Sequence, residues 1–149
     1  MRLVVQRVTR ASVSAHGEPL GEIGRGAVVL AGIGQDDNIA VVDRMADKLI
    51  GLRYFEDEEG RTNRSLADAF GSLLVVSQFT LYADVRRGRR PGFTGAALPD
   101  QAVPLLERFV ERLRVSGVEV STGRFGASMA VELVNDGPFT LVLDSDRDA

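Results

Sequence analysis

The sharpest constraint on the fold is a change of hydrophobic period. Residues 26–33 (GAVVLAGI) are apolar without a break, and from Asn38 the apolar positions recur at steps of three and four. The first run is short and rich in valine, so it reads as a strand buried on both faces. Ile39, Val42, Met45, Ala46 and Leu49 then form the inner stripe of a helix covering the sheet, with Gly51 closing it. A strand buried on both faces needs cover on both, which points to a layered α/β arrangement.

The remaining segments extend that reading. Leu3, Val5 and Val8 begin a strand, and residues 12–14 pair with residues 20–23 as a hairpin around the Gly17 to Pro19 turn. Residues 52–55 form the next strand and Asp57 to Gly60 a turn of solvated charge. Residues 73–80 are predicted as one apolar strand reaching Thr80. Asp100 caps a second helix with Val103, Leu106, Val110 and Leu113 inward, and Pro104 is tolerated in its first turn. Residues 118–122, 129–135 and 139–143 are three closing strands, and the polar tail from Asp144 frays. No repeat, linker or low-complexity segment interrupts the chain.

Composition bounds the rest. With 149 residues, 44% apolar and 26% charged, the chain suffices for one domain, residues 1–149, and is too short for two ordinary ones. No window approaches the ~20 apolar residues of a membrane span, and no signal core follows the N-terminus, so a soluble cytoplasmic protein without membrane partners is expected. There is no cysteine and only one histidine, His16, in a turn-like stretch. A zinc site, a cysteine nucleophile and a serine-protease-like triad are therefore not expected, and neither is a cofactor. Any hydrolysis must rest on positioning, backbone donors, hydroxyls or the substrate's own groups.

Two short segments carry the chemistry. In an extended Ser77-Gln78-Phe79-Thr80-Leu81, Gln78 and Thr80 face one way and Ser77, Phe79 and Leu81 the other. In isolation this is an ordinary polar strand end, and Gly137-Pro138 in Asn135-Asp136-Gly137-Pro138-Phe139-Thr140 is an ordinary turn. Together the two segments, residues 77–84 and 135–140, resemble the active site of the D-aminoacyl-tRNA deacylases. The likeness extends through residues 1–8, 23–33, 48–65, 90–93 and 125–144, which is nearly the whole chain.

The resemblance implies the family's compact layered fold of mixed strands with two covering helices. It also implies hydrolysis of the ester of D-aminoacyl-tRNA, a proofreading step in translation. Gln78, Phe79 and Thr80 fall on the family's catalytic strand end, where the backbone N–H at the position of Phe79 binds the oxyanion and the Thr80 hydroxyl lies beside the scissile ester. Ser77, Gly137 and Pro138 fall on substrate-binding positions. The family presents a cis Gly-Pro to the active site of the other subunit, so a homodimer acting on the aminoacylated 3′ end of tRNA is implied. Glycyl-tRNA, lacking a Cβ, is expected to pass a filter of this kind. The chain departs from the family pattern at Phe139, where valine is common, and at Gly92, where serine is usual.

The run Arg86-Arg87-Gly88-Arg89-Arg90 contrasts with a net charge of −3 and a pI near 5.2. Net acidity argues against a nonspecific nucleic-acid binder. The run itself reads equally as a solvated loop or as a phosphate-binding patch. A noncatalytic RNA-binding module using Arg86 to Arg90, or a dimeric structural protein, are the alternatives to an enzyme.

Overall fold

The computed structural model describes residues 1–148. The organising element is β1 (Arg2–Ala15), which pairs antiparallel with β8 (Met129–Asp144) along one edge. Its other edge is shared between β3 (Gly26–Gly32), opposite Arg2 to Val8, and β2 (Glu18–Ile23), opposite Ala11 to Ala15. Beyond β3 come β6 (Ser72–Ser77) and β7 (Val120–Thr122), both in parallel. Parallel neighbours need crossovers. The helices α1 (Ile39–Gly51) and α2 (Pro99–Val115) lie in those connections. A separate hairpin, β4 (Arg53–Glu56) and β5 (Thr62–Ser65), stands apart from the main sheet.

Both faces of the sheet are apolar, as the unbroken run in β3 predicts. Ala27, Val29, Leu73 and Val75 turn to the helices, against Met45, Leu49, Phe109 and Leu113. Val28, Leu74 and Val76 turn the other way, where they meet Val8, Ala11, Val13 and Ile23. The register between β1 and β8 slips at Thr9. That slip reverses the side-chain parity of β1, so Leu3 and Val5 face the helices while Ala11 and Val13 face the second cluster. The second cluster is closed less completely, for Leu20, Met129, Val131 and Leu133 on its border are only half-buried.

The helices run parallel, locked by two ion pairs one turn apart. Arg108 Nε and Nη2 donate to Asp43 (both 2.8 Å), and Arg112 Nε and Nη2 to Asp47 (2.8 and 2.9 Å). Hydrogen bonds from these guanidinium groups hold both carboxyls below their usual range.

Several expectations are corrected. The inner stripe of α2 is Ala102, Leu105, Phe109 and Leu113, while Val103, Leu106 and Val110 are half-buried one stripe over. Both stripes are apolar, and periodicity cannot say which faces the sheet. Asp100 lies in the first turn of α2 rather than at its cap, which is Leu98. Ile39 is 60% exposed, although Val42, Met45, Ala46 and Leu49 are buried as expected. The strand carrying the first motif stops at Ser77. The two strands expected at residues 129–135 and 139–143 are one strand with a bulge, and β5 is a further strand beyond those the periodicity predicts. The tail is a one-turn helix, α3 (Ser145–Asp148), in which the Asp144 N–H donates to Asp148 Oδ2 at 2.8 Å. No helix among the described residues is long and apolar enough to cross a membrane.

Candidate active site

The parallel strands β3, β6 and β7 end on the same side of the sheet, where ligand sites of α/β proteins concentrate. The last ladder bond of β6 runs from the Gln78 N–H to the Ala31 carbonyl at 2.8 Å. The backbone then coils into one 3-10 turn, Phe79–Tyr82. Gln78 and Thr80, expected on one side of an extended strand, still converge in the turn, because Gln78 Nε2 donates to Thr80 Oγ1. Among the described residues, the N–H groups of Phe79 and Thr80 have no acceptor. Such free donors at the start of a helical turn suit an incoming oxyanion.

The turn is held by residues that the motif does not contain. A Cβ on Gly32 would lie 2.8 Å from the Gln78 carbonyl oxygen, and one on Gly34 would lie 2.7 Å from Tyr82 Oη. Only glycines let the turn and the Tyr82 ring settle against β3. The Arg2 guanidinium stacks 4.6 Å from the Tyr82 ring centre, and its Nη1 donates to the Leu81 carbonyl at 3.0 Å. Buried Asp37 accepts from the Gly34 N–H at 2.6 Å, from the Met1 amino group and, more loosely, from Tyr82 Oη at 3.4 Å. Burial, and then the charge of Asp37, push the Tyr82 phenol above its usual range, so it stays a neutral donor. The sequence signal for this support is Gly32-x-Gly34 at the end of the β3 run, legible only once the turn is seen above it.

Beside the turn lies a groove of about 570 Å³, floored by Val75, Leu106 and Val110 and rimmed by Ser77, Thr122 and Phe125. The volume is typical of small-ligand sites. Ser77 belongs to both the groove and the strand end. The shift of phase in α2 has a use here: Val103, Leu106 and Val110, predicted for the core, line the groove, with Leu106 and Val110 also resting on the core's edge.

Gly137 and Pro138 lie elsewhere. Their peptide bond is cis, with Gly137 at φ +132°. Between Gln6, opposite Thr140, and Val8, opposite Asn135, a single β1 residue faces the four residues 136–139 of β8, so the segment bulges outward. Arg7, which is 4% exposed, supports it from beneath. Its Nε donates to the Asp136 carbonyl (3.2 Å), its Nη1 to the Tyr54 carbonyl (2.8 Å), and its guanidinium sits 4.8 Å from the Phe139 ring centre. Asn135 Nδ2 ties the bulge to the Arg7 and Phe139 carbonyls (2.8 and 3.0 Å). Phe139 stacks on Tyr54, so the bulkier residue at this position packs inward. Gly137 and Pro138 themselves are exposed.

The structure thus brings together Ser77, Gln78, Phe79 and Thr80, and it keeps Gly137 and Pro138 away from them within one chain. Ser77 is level with Leu3 through Ala31, and the bulge is level with Arg7. Four residues along the strand and three strand spacings across make roughly 20 Å on the sheet surface. His16, at φ +49° in an exposed turn, takes no part.

The family model of the D-Tyr-tRNA(Tyr) deacylase matches residues 4–144. The chain belongs to this family. A D-aminoacyl-tRNA deacylase of Symbiobacterium thermophilum is 60% identical over 147 residues, covering 99% of this chain and 97% of its own length. A solved structure titled c-Myc DNA Unwinding Element Binding Protein superposes with a TM-score of 0.90 at 42% identity, covering 97% of this chain and 98% of its own. A second, titled as a probable eukaryotic D-amino acid tRNA deacylase, shares the fold with a TM-score of 0.83 at 20% identity, covering 95% and 97%. For a deacylase-family chain the informative geometry is the pair of free amides above a glycine-lined seat, since it offers stabilisation of an oxyanion without a side-chain base.

Proposed function

We propose that this chain hydrolyses the ester joining a D-amino acid to the 3′ end of tRNA, and that it does so as a homodimer. The observation that carries the reading is the strand-end turn, where the Phe79 N–H has no acceptor among the described residues and Gln78 donates to the Thr80 hydroxyl oxygen. An aminoacyl ester is activated by its neighbouring charged amine, so oxyanion stabilisation provides most of what water attack requires. Thr80 positions or hydrogen-bonds rather than attacks. Its oxygen already accepts from Gln78, and no histidine or cysteine stands ready to take its proton. The terminal ribose 2′-hydroxyl assists. The groove beside Ser77 receives the terminal nucleoside, with the exposed Phe125 ring available for stacking.

Chirality is set by the Gly137-Pro138 carbonyls of the neighbouring subunit. Two observations support this reading: the bulge is about 20 Å from its own chain's turn by the ladder spacings, and it projects outward with both residues exposed. With amine and ester fixed, an L substrate directs its Cβ at those carbonyls and is rejected, whereas a D substrate directs a hydrogen there. Glycine, with no Cβ, passes. The half-buried border of Leu20, Met129, Val131 and Leu133 is an apolar surface on which a second copy can close the site.

A nucleic-acid-binding role without turnover is favoured by the likeness to the structure named for DNA unwinding element binding and by the Arg86 to Arg90 run. One assay separates the two. Parallel incubation with D-tyrosyl-, L-tyrosyl- and glycyl-tRNA should give rapid loss of the D ester, measurable loss of the glycyl ester and protection of the L ester. The D to L ratio should be about 10² or more, as a clash of a few kcal/mol requires. Binding without turnover would establish the alternative, and equal cleavage of D and L esters would remove the filter.

A further inference from the structure

We propose that the Asp84 to Gly92 loop is a phosphate-gripping arm, which holds the phosphodiester strand leading to the terminal ester. The inference rests on the deacylase reading above and adds the part of the substrate that the loop recognises. Four of the chain's 18 basic residues fall within residues 86–90, although the net charge is −3. A polyanion approaching this protein is repelled by the whole and needs a local counter-field at the site.

The loop is a built feature. Its mouth is closed by a reciprocal backbone pair, the Asp84 N–H to the Gly92 carbonyl at 2.7 Å and the Gly92 N–H to the Asp84 carbonyl at 2.9 Å. Gly88, at φ +70°, provides a reversal inside it. Asp84 grips Arg86 in a bidentate pair (2.9 and 2.7 Å), and these hydrogen bonds hold the Asp84 carboxyl well below its usual range. Arg86 is thereby engaged and fixes the direction of the loop. Arg87, Arg89 and Arg90 are exposed and, among the described residues, form no ion pair.

Both feet of the loop stand on the active site. Asp84 follows Tyr82, the last residue of the turn that carries Thr80, by two positions. At the other foot, Phe93 meets Phe79 edge-on with ring centres 5.1 Å apart. Seven residues folded back on themselves reach at most roughly 12 Å from the feet. At ~3.4 Å per nucleotide of a stacked strand, that spans about three or four phosphates upstream of the ester. Three free guanidinium forks at that distance match a short stretch of single-stranded backbone.

The test compares two substrates with one variant, Arg87→Gln/Arg89→Gln/Arg90→Gln. D-tyrosyl-tRNA carries the upstream phosphates, and D-tyrosyl-adenosine carries the ester alone. The variant should raise KM for D-tyrosyl-tRNA about tenfold or more with kcat within twofold, and should leave both constants for D-tyrosyl-adenosine unchanged. The slope of log(kcat/KM) against log[salt] for the tRNA should become shallower by about 2, since each of three lost single-strand contacts contributes ~0.7. An unchanged KM and salt slope would overturn the arm, as would an equal loss on D-tyrosyl-adenosine, which would make the loop a support of the turn. If the wild-type chain cleaves neither substrate, the deacylase reading fails by itself. Binding of uncharged tRNA by fluorescence anisotropy then decides the arm alone, with weaker, less salt-sensitive binding by the variant expected and equal binding contradicting it.

Discussion

The strand-end turn and the Gly137-Pro138 bulge are both backbone devices governed by glycine, yet they are finished to different degrees. The turn is complete within its own chain. Gly32 and Gly34 clear its seat, Arg2 and Tyr82 clamp it, and Asp37 anchors the loop below. The bulge is supported on one side only. Arg7 and Asn135 hold it from beneath, and on its outer side Gly137 and Pro138 are exposed. The contrast fits the proposed division of labour, in which one subunit assembles the chemistry and its partner supplies the selectivity.

The largest expected effect breaks the first half. Phe79→Pro removes one backbone N–H that has no acceptor among the described residues, at the first position of a helical turn, where proline's fixed φ is tolerated. If that N–H binds the oxyanion, kcat for D-tyrosyl-tRNA should fall by about 10²–10³. Phe79→Ala keeps the N–H and loses only the packing on Phe93, so it should cost about tenfold or less. Equal losses from the two variants would assign the effect to the ring and not to the amide.

Smaller effects sharpen the division of labour within that half. A substrate ending in a 2′-deoxyribose should react about a hundredfold more slowly, as expected for loss of a proton-transferring group. Thr80→Ala should cost about tenfold, the value of one neutral hydrogen bond. Single-turnover kinetics with both would check the order. A trapped acyl-enzyme on Thr80 would contradict it.

Much of the fold is legible in the sequence, and the exceptions have physical causes. The two-faced run of β3 and the inner stripe of α1 are visible because period and burial agree there. The phase of α2 is not, because Ala102, Leu105 and Phe109 compete with an equally apolar stripe of Val103, Leu106 and Val110. The second stripe is apolar because it borders the core through Leu106 and Val110 and also lines the groove. For the candidate site, the resemblance points to Ser77 to Thr80, but their geometry is not legible in the sequence. The turn replaces an extended strand end because Tyr82 folds back onto Gly32 and Gly34, a contact across some fifty positions in sequence. Arg7 carried a signal in its place among Leu3, Val5 and Val8. A charge on the inward parity of an apolar strand must have buried partners, and here they are the carbonyls of Tyr54 and Asp136.

The central claim is that the turn of one subunit works with the bulge of its partner, and a mixed dimer tests it most directly. Gly137→Ala places a Cβ 3.0 Å from Arg7 Nη2 and 3.1 Å from the Phe139 nitrogen at a φ of +132°, so the bulge must shift. As a homodimer this variant should still cleave D-tyrosyl-tRNA and should now cleave the L ester as well. Combined with Phe79→Pro through two affinity tags, it gives dimers in which the working turn and the altered bulge lie on the same chain. In such a dimer the working turn faces the intact bulge of its partner. The account predicts D-ester cleavage at about half the rate of the Gly137→Ala homodimer, because one of two symmetric sites survives, with the L ester protected again. Cleavage of the L ester at that same half rate would place the filter within its own chain and contradict the account.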